Sequence, residues 1–146
     1  MFPIKKIVCP VDFSDPSLEG LKAALELAQK ESAELMLMHA IQPVQPHLDA
    51  VQDHYHAVEE AARKAFEELV KTKVPEGLRV KTKVVRGQPA DEIVQAAESE
   101  NADIIVIATH GWTGWRRFIF GSVAGKVVRL SSCPVLTIPD PGSLGQ

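Results

Sequence analysis

Five short runs dense in Ile, Val, Leu and Met alternate along the chain with four segments whose apolar residues recur at helical spacing. That alternation limits the possible folds more than any other feature. The runs are residues 4–11, 35–41, 78–86, 103–109 and 134–138, each of strand length and mostly bounded by Pro, Gly or Asp. Between them, Leu18, Leu21, Leu25 and Ala28 form one helical face, and Tyr55, Val58, Ala62, Phe66 and Leu69 form a second. Ile93, Val94, Ala96 and Ala97 mark a third helix, and Val123, Val127 and Leu130 a fourth. A βαβαβαβαβ order requires parallel strands joined by right-handed crossovers. The expected fold class is therefore α/β: a single doubly wound open sheet of five parallel strands, Rossmann-like, with helices on both faces.

Local signals refine this reading. Asp15-Pro16 is expected to open the first helix, with Asp15 as its N-cap and Pro16 at the first helical position. Pro43 and Pro46 end the second strand, Pro75 and Gly77 stop the second helix, and Pro89 opens the third. Residues 35–41 lack alternation, as a strand covered on both faces would. In residues 78–86, Val80, Thr82 and Val84 alternate with Arg79, Lys81 and Lys83, the half-exposed pattern of a strand near a sheet edge. Residues 103–109 are the most apolar and are expected in the centre. One domain is expected over residues 1–139, followed by a tail over 140–146.

Composition excludes several functions. The 146 residues are 45% hydrophobic, enough for a real core without disulfide or metal. Lys and Arg number 16 against 19 Asp and Glu, a net charge of −3, which does not supply the broad basic face that nucleic acid requires. Trp112, Trp115, Arg116, Arg117, Phe118 and Phe120 interleave aromatics with bases as single-strand platforms do, but read better as loop and packing residues. No apolar run approaches the roughly 20 residues of a membrane span, so no membrane partner is expected. Pro10 and Asp12 interrupt the first run too early for a signal peptide, and Cys9 and Cys133 lie outside any metal or redox spacing. A cytoplasmic, reduced chain is expected, with the two thiols about 10 Å apart and unpaired. His47, His54 and His56, near Asp49 and Asp53, lack zinc spacing and read as a solvated helix start.

In an open parallel sheet, ligands bind beyond the carboxyl ends of the strands, where the winding reverses. Three such ends carry Pro10-Val11-Asp12, His39-Ala40 and Ala108-Thr109-His110-Gly111. The last runs through Gly111 and Gly114 into Gly121-Ser122, where a helix starts. Unpaired main-chain amides, the helix dipole and a hydroxyl make an anion site there, suited to phosphate. The segment from Gly121 to Lys126 is one residue short of a Walker A loop and is followed by Val127 in place of Ser or Thr, while the first strand lacks GxGxxG. Asp12 reads either as a ligand or as an acid capping the next helix, and Gly111, Gly121 and Ser122 either as a phosphate loop or as a fold-preserving loop and cap. His39 and His110 end strands beside this region, but no nucleophile signature accompanies them, and no catalytic residue is assigned.

The spacing Ala108-x2-Gly111-x9-Gly121-Ser122 fits the Gly-x2-Gly-x9-Gly-[Ser/Thr] phosphate motif of one family, with Ala108 in place of the first Gly. With the opening Ile7-Val8-Cys9-Pro10-Val11-Asp12-Phe13-Ser14, the strand end Leu37-Met38-His39-Ala40, Ala102-Asp103-Ile104-Ile105-Val106 and the closing Cys133-Pro134-Val135-Leu136, the chain resembles the universal stress proteins of the UspA type over nearly its whole length. The resemblance implies strand order 3-2-1-4-5, homodimers built on residues 134–138, an unidentified protein partner and a role in stress response. In the ATP-binding branch it implies ATP, AMP or ADP, with magnesium on the phosphates. On that likeness Asp12 meets the ribose or the phosphate-bound magnesium, Ala40 reads adenine through its backbone, and Pro10 and Val11 wall the base. Ala108 lies by the sugar, and Gly111, Gly121, Ser122 and Val123 hold the phosphates. Ala108, and Trp112 where many relatives carry a basic residue, motivate an alternative: an interaction dimer of the same fold without nucleotide. A slow ATP hydrolase or phosphotransferase ranks third, since no positioned base is visible.

Overall fold

The computed structural model describes residues 2–43, 50–110 and 121–140. Its elements are β1 (Lys6–Pro10), α1 (Asp15–Glu31), β2 (Glu34–Ile41), α2 (Ala50–Lys73), β3 (Val80–Arg86), α3 (Pro89–Ser99), β4 (Ile104–Ala108), α4 (Ser122–Leu130) and β5 (Val135–Ile138). The strands form one sheet in the order β3-β2-β1-β4-β5, with every neighbouring pair parallel. Fold class and strand order are those expected.

Alternating side chains along each strand serve two different cores. Ile7 and Cys9 of β1, Leu35 and Leu37 of β2, and Ile104 and Val106 of β4 pack with α1 and with Phe66 of α2. Their neighbours Val8, Met36, Met38, Ile105 and Ile107 pack on the opposite face with Ile93 of α3 and Val127 of α4. Double coverage is why these strands read as continuous apolar runs. β3 is an edge strand, and Lys81, Thr82 and Lys83 are exposed along it, Lys81 pairing with Glu34 at 2.9 Å.

Two expectations need correction. All five residues of β4 are buried, yet the central strand is β1 and β4 lies beside it; apolarity tracks coverage of both faces rather than position in the order. The N-cap of α1 is Ser14, whose hydroxyl accepts the Ser17 N–H, while Asp15 opens the first turn and Pro16 follows it. Pro is tolerated there because first-turn amides have no intrahelical acceptor. Both cysteines are free thiols, Cys9 buried in β1 and Cys133 half-buried just before β5. Burial pushes the Cys9 thiol up to about 12, so it behaves as an inert core residue.

Among the described residues no helix is long and apolar enough to cross a membrane. Residues 111–120, which hold Gly111, Gly114, both Trp and Arg116 with Arg117, lie outside the described residues, as do His47, Asp49 and the tail beyond Asp140.

Candidate functional site

The helices α1 and α2 carry the chain from β1 out to the β3 edge on one face of the sheet. From there α3 and α4 carry it across to β4 and β5 on the other. The winding therefore reverses between β1 and β4, which are paired through Ile7 with Ile104 and Val8 with Ile105. Pro10, Val11 and Asp12 lie at the carboxyl end of β1, Ala40 at that of β2 and Ala108 at that of β4, all at the same end of the sheet. This is where a doubly wound sheet opens a crevice.

The exit from β1 is pinned by both neighbouring elements. The Val11 N–H donates to the Met38 carbonyl at 2.8 Å, and the Val11 carbonyl lies 2.8 Å from His39 Nδ1. A carbonyl can only accept, so Nδ1 carries the proton in this contact. Asp12 N–H donates to Ser17 Oγ at 3.1 Å. Asp12 Oδ1 accepts the Ser14 N–H at 2.9 Å and, in a short contact, the Ser14 hydroxyl. The Ser17 N–H in turn donates to Ser14 Oγ at 3.2 Å. Asp12 is thus not the cap of α1 but the brace of that cap, and its carboxylate is oriented by the same contacts. Phe13 adopts φ 66°, with its ring centroid 5.1 Å from that of His39 and 5.0 Å from that of Phe66. The Val11 side chain is buried in the α1 core, so it backs the crevice from within, while Pro10 is half-buried.

The opposite wall is set by β4 and the start of α4. Beyond β4, Thr109 N–H donates to the Ile138 carbonyl at 2.9 Å, and the Thr109 carbonyl accepts the Gly121 N–H at 2.7 Å. The Gly121 amide is therefore engaged inside the fold. What this position supplies is the missing side chain: a Cβ would lie 3.1 Å from the Thr109 oxygen. The first intrahelical bond shown there runs from Gly125 N–H to the Gly121 carbonyl, which leaves the amides of Ser122 and Val123 at the open first turn. Ser122 is exposed. His110 is buried, its Nδ1 3.2 Å from Thr109 Oγ1.

Ala108, at the first-glycine position of the motif, projects to the α1 side like Ile104 and Val106, where Gly20 leaves room for it: a Cβ on Gly20 would fall 3.6 Å from the Ala108 methyl. Sequence reasoning placed His39 beside this region without assigning it a role, and missed Ser17 and Gly20 as parts of the framework. Only Gly20 carried a local signal, as an isolated glycine inside a helical pattern.

Two charged contacts anchor the surroundings. Arg86, at the end of β3, bonds Glu59 and Gln52 of α2 and sits over the Tyr55 ring at 4.4 Å; the guanidinium holds the Glu59 carboxyl below its usual range. At the far end of β1, Asp103 Oδ2 accepts the Lys5 and Lys6 N–H groups at 2.7 and 3.0 Å, which lowers its carboxyl in the same way. Among the described residues no group of three or more His, Cys, Asp or Glu could hold a metal ion.

Comparison with known proteins gives concordant results. The model of the Universal stress protein family matches residues 3–139. Universal stress protein MJ0531 of Methanocaldococcus jannaschii is 34% identical, over 94% of this chain and 83% of that protein. The solved structure of MJ0577 from the same organism superposes with a TM-score of 0.81 at 31% identity, covering 94% of this chain and 96% of its own. A universal stress protein from Archaeoglobus fulgidus, solved in complex with dAMP, gives a TM-score of 0.61 at 26% identity, covering 94% and 99%.

Proposed function

The chain belongs to the universal stress protein family, and from that premise we propose that it binds ATP, or the related mono- or diphosphate, at the carboxyl ends of β1 and β4. The observation that carries this reading is the juxtaposition at the sheet's switch point: an oriented carboxylate on Asp12 and, bonded directly to the end of β4, a helix start whose Ser122 and Val123 amides have no intrahelical acceptor. The first suits ribose hydroxyls or a magnesium ion arriving on the phosphates, and the second suits phosphate oxygens. Pro10 and Val11 flank the base and Ala40 reads it through its main chain. Ala108 lies by the sugar, and Gly111, which the resemblance assigns to the phosphates, lies outside the described residues. A family relative solved with dAMP supports an adenine nucleotide as the guest.

The alternative without nucleotide drew on Ala108 and on Trp112, of which Trp112 lies outside the described residues. The Ala108 methyl lies against Gly20 on the α1 side of the sheet, which favours the nucleotide reading. The protein is read as a binder acting in the cytoplasmic stress response. Its bound nucleotide would set its contacts with a protein partner.

The assembly that fits this reading is a homodimer through residues 134–138. β5 is an edge strand, and Leu136 on it is 41% exposed, with Val128 and Leu130 of α4 at 42% and 49%. Pairing such edges across a two-fold axis protects them. Titration of ¹⁵N-labelled protein with magnesium and ATP tests the site. Saturable shifts at the Asp12, Ala40, Ser122 and Val123 amides are expected, and shifts absent or confined to other regions defeat it.

A further inference from the structure

We propose that His39 is a positioning residue of this site: its Nδ1–H, bonded to the Val11 carbonyl, sets the peptide plane that aims Asp12. The inference rests on the nucleotide reading above and names a residue through which that site is held in shape.

The peptide unit between Val11 and Asp12 is planar, so its oxygen and its N–H are fixed together. Its oxygen is held by His39 from β2, at 2.8 Å, and its N–H by Ser17 Oγ from α1, at 3.1 Å. Two elements on either side of the turn thus grip one rigid plane, and the Asp12 side chain leaves from its edge.

The imidazole also ends the ladder. The Val11 N–H to Met38 carbonyl bond continues the parallel pattern, which would next bring the Ala40 N–H to the Val11 carbonyl. The β1–β2 register instead stops at Pro10 with Met38, and His39 Nδ1 takes that carbonyl. Ala40 therefore keeps its main-chain groups on the β1 side of β2 but outside the β1–β2 ladder, the arrangement needed to read a base from backbone.

The same ring supports the unusual turn. Phe13 lies in the left-handed region at φ 66°, which costs a residue with a side chain free energy of about 1 kcal/mol or more. Its ring is held between His39 and Phe66 at centroid distances of 5.1 and 5.0 Å. A histidine that served only as core would stabilise the protein without favouring one nitrogen.

The test compares His39→Asn, His39→Gln and His39→Leu in the full chain, reading ATP affinity with magnesium by calorimetry and stability by thermal unfolding. Asn places its amide N–H where Nδ1 stands, whereas Gln places it one atom farther out. All three lose the ring contact with Phe13 and should lose similar stability. Affinity is expected to fall about tenfold or more in Leu and Gln and to stay within about threefold in Asn. Affinity that follows stability through the series, or a Leu variant that binds like the parent, overturns the proposal. If Leu does not fold, the Asn and Gln pair decides. If the unsubstituted protein binds no adenine nucleotide, the nucleotide reading fails, and His39 is judged by amide spectra alone. The Asp12 amide resonance should move farther in Gln and Leu than in Asn, where only the lost ring contributes, and equal shifts in Asn and Gln refute the positioning role.

Discussion

The methyl group of Ala108 rests against Gly20: a Cβ built on that glycine falls 3.6 Å from the methyl and 3.2 Å from the Ala108 main-chain nitrogen. A strand residue at the motif's first-glycine position carries a side chain, and the helix residue facing it carries none. The close approach of α1 to β4 is thereby preserved, and with it the β1 exit turn that α1 braces through Ser14 and Ser17.

Gly20 should accept nothing larger than Ala. Gly20→Ala gains about 1 kcal/mol of helix propensity, set against a contact with backbone that cannot yield freely. Gly20→Val should lower stability by about 2 kcal/mol through overpacking, measured by urea unfolding. Adding Ala108→Gly should recover only part, because the nitrogen at 3.2 Å remains. Full recovery would place the clash on the methyl alone.

Gly121→Ala isolates the role of close approach from backbone freedom. Gly121 sits at φ −60° and ψ 161°, which alanine adopts without strain. The added methyl would meet the Thr109 oxygen at 3.1 Å, so the start of α4 must back away from β4 by a few tenths of an ångström. A stability loss of about 1 kcal/mol and weaker nucleotide binding are expected together, as the Ser122 and Val123 amides move with the helix. Wild-type values for both would show that the contact is relieved elsewhere.

Asp103 should make stability depend on acid pH. Its folded carboxyl is held below the ordinary value by the Lys5 and Lys6 N–H groups. The stabilisation is then fully present above the unfolded value of about 3.9 and disappears as pH falls through the lower folded value. Asp103→Asn should cost about 1 kcal/mol or less at neutral pH, given the half-exposed position, and nearly nothing at the acid end. Urea midpoints measured against pH check this, and superimposable profiles for parent and variant contradict it.

The alternation of apolar runs and helical faces made the fold class legible, because each strand buried on both sides writes a continuous run. Strand order entered only through the resemblance, since pairing of β1 with β4 depends on contacts between distant segments. Ser14 and Asp15 are both good caps, and nothing local reveals that Asp12 would turn back to brace the first of them. The His39 bond to Val11 was out of reach for a similar reason: it exists only in one register of β1 against β2. Ala108 read as a departure from a motif until its neighbour across the α1 interface was known.

Calorimetry on protein stripped of carried-over ligand tests the nucleotide site most directly, with ATP and magnesium titrated into the parent chain and Asp12→Asn. The variant keeps an acceptor for the Ser14 amide while losing the negative charge. Saturable binding to the parent, weakened about tenfold or more in Asp12→Asn, is the predicted result. No saturable heat with the parent chain, or equal affinity in the two, would contradict it.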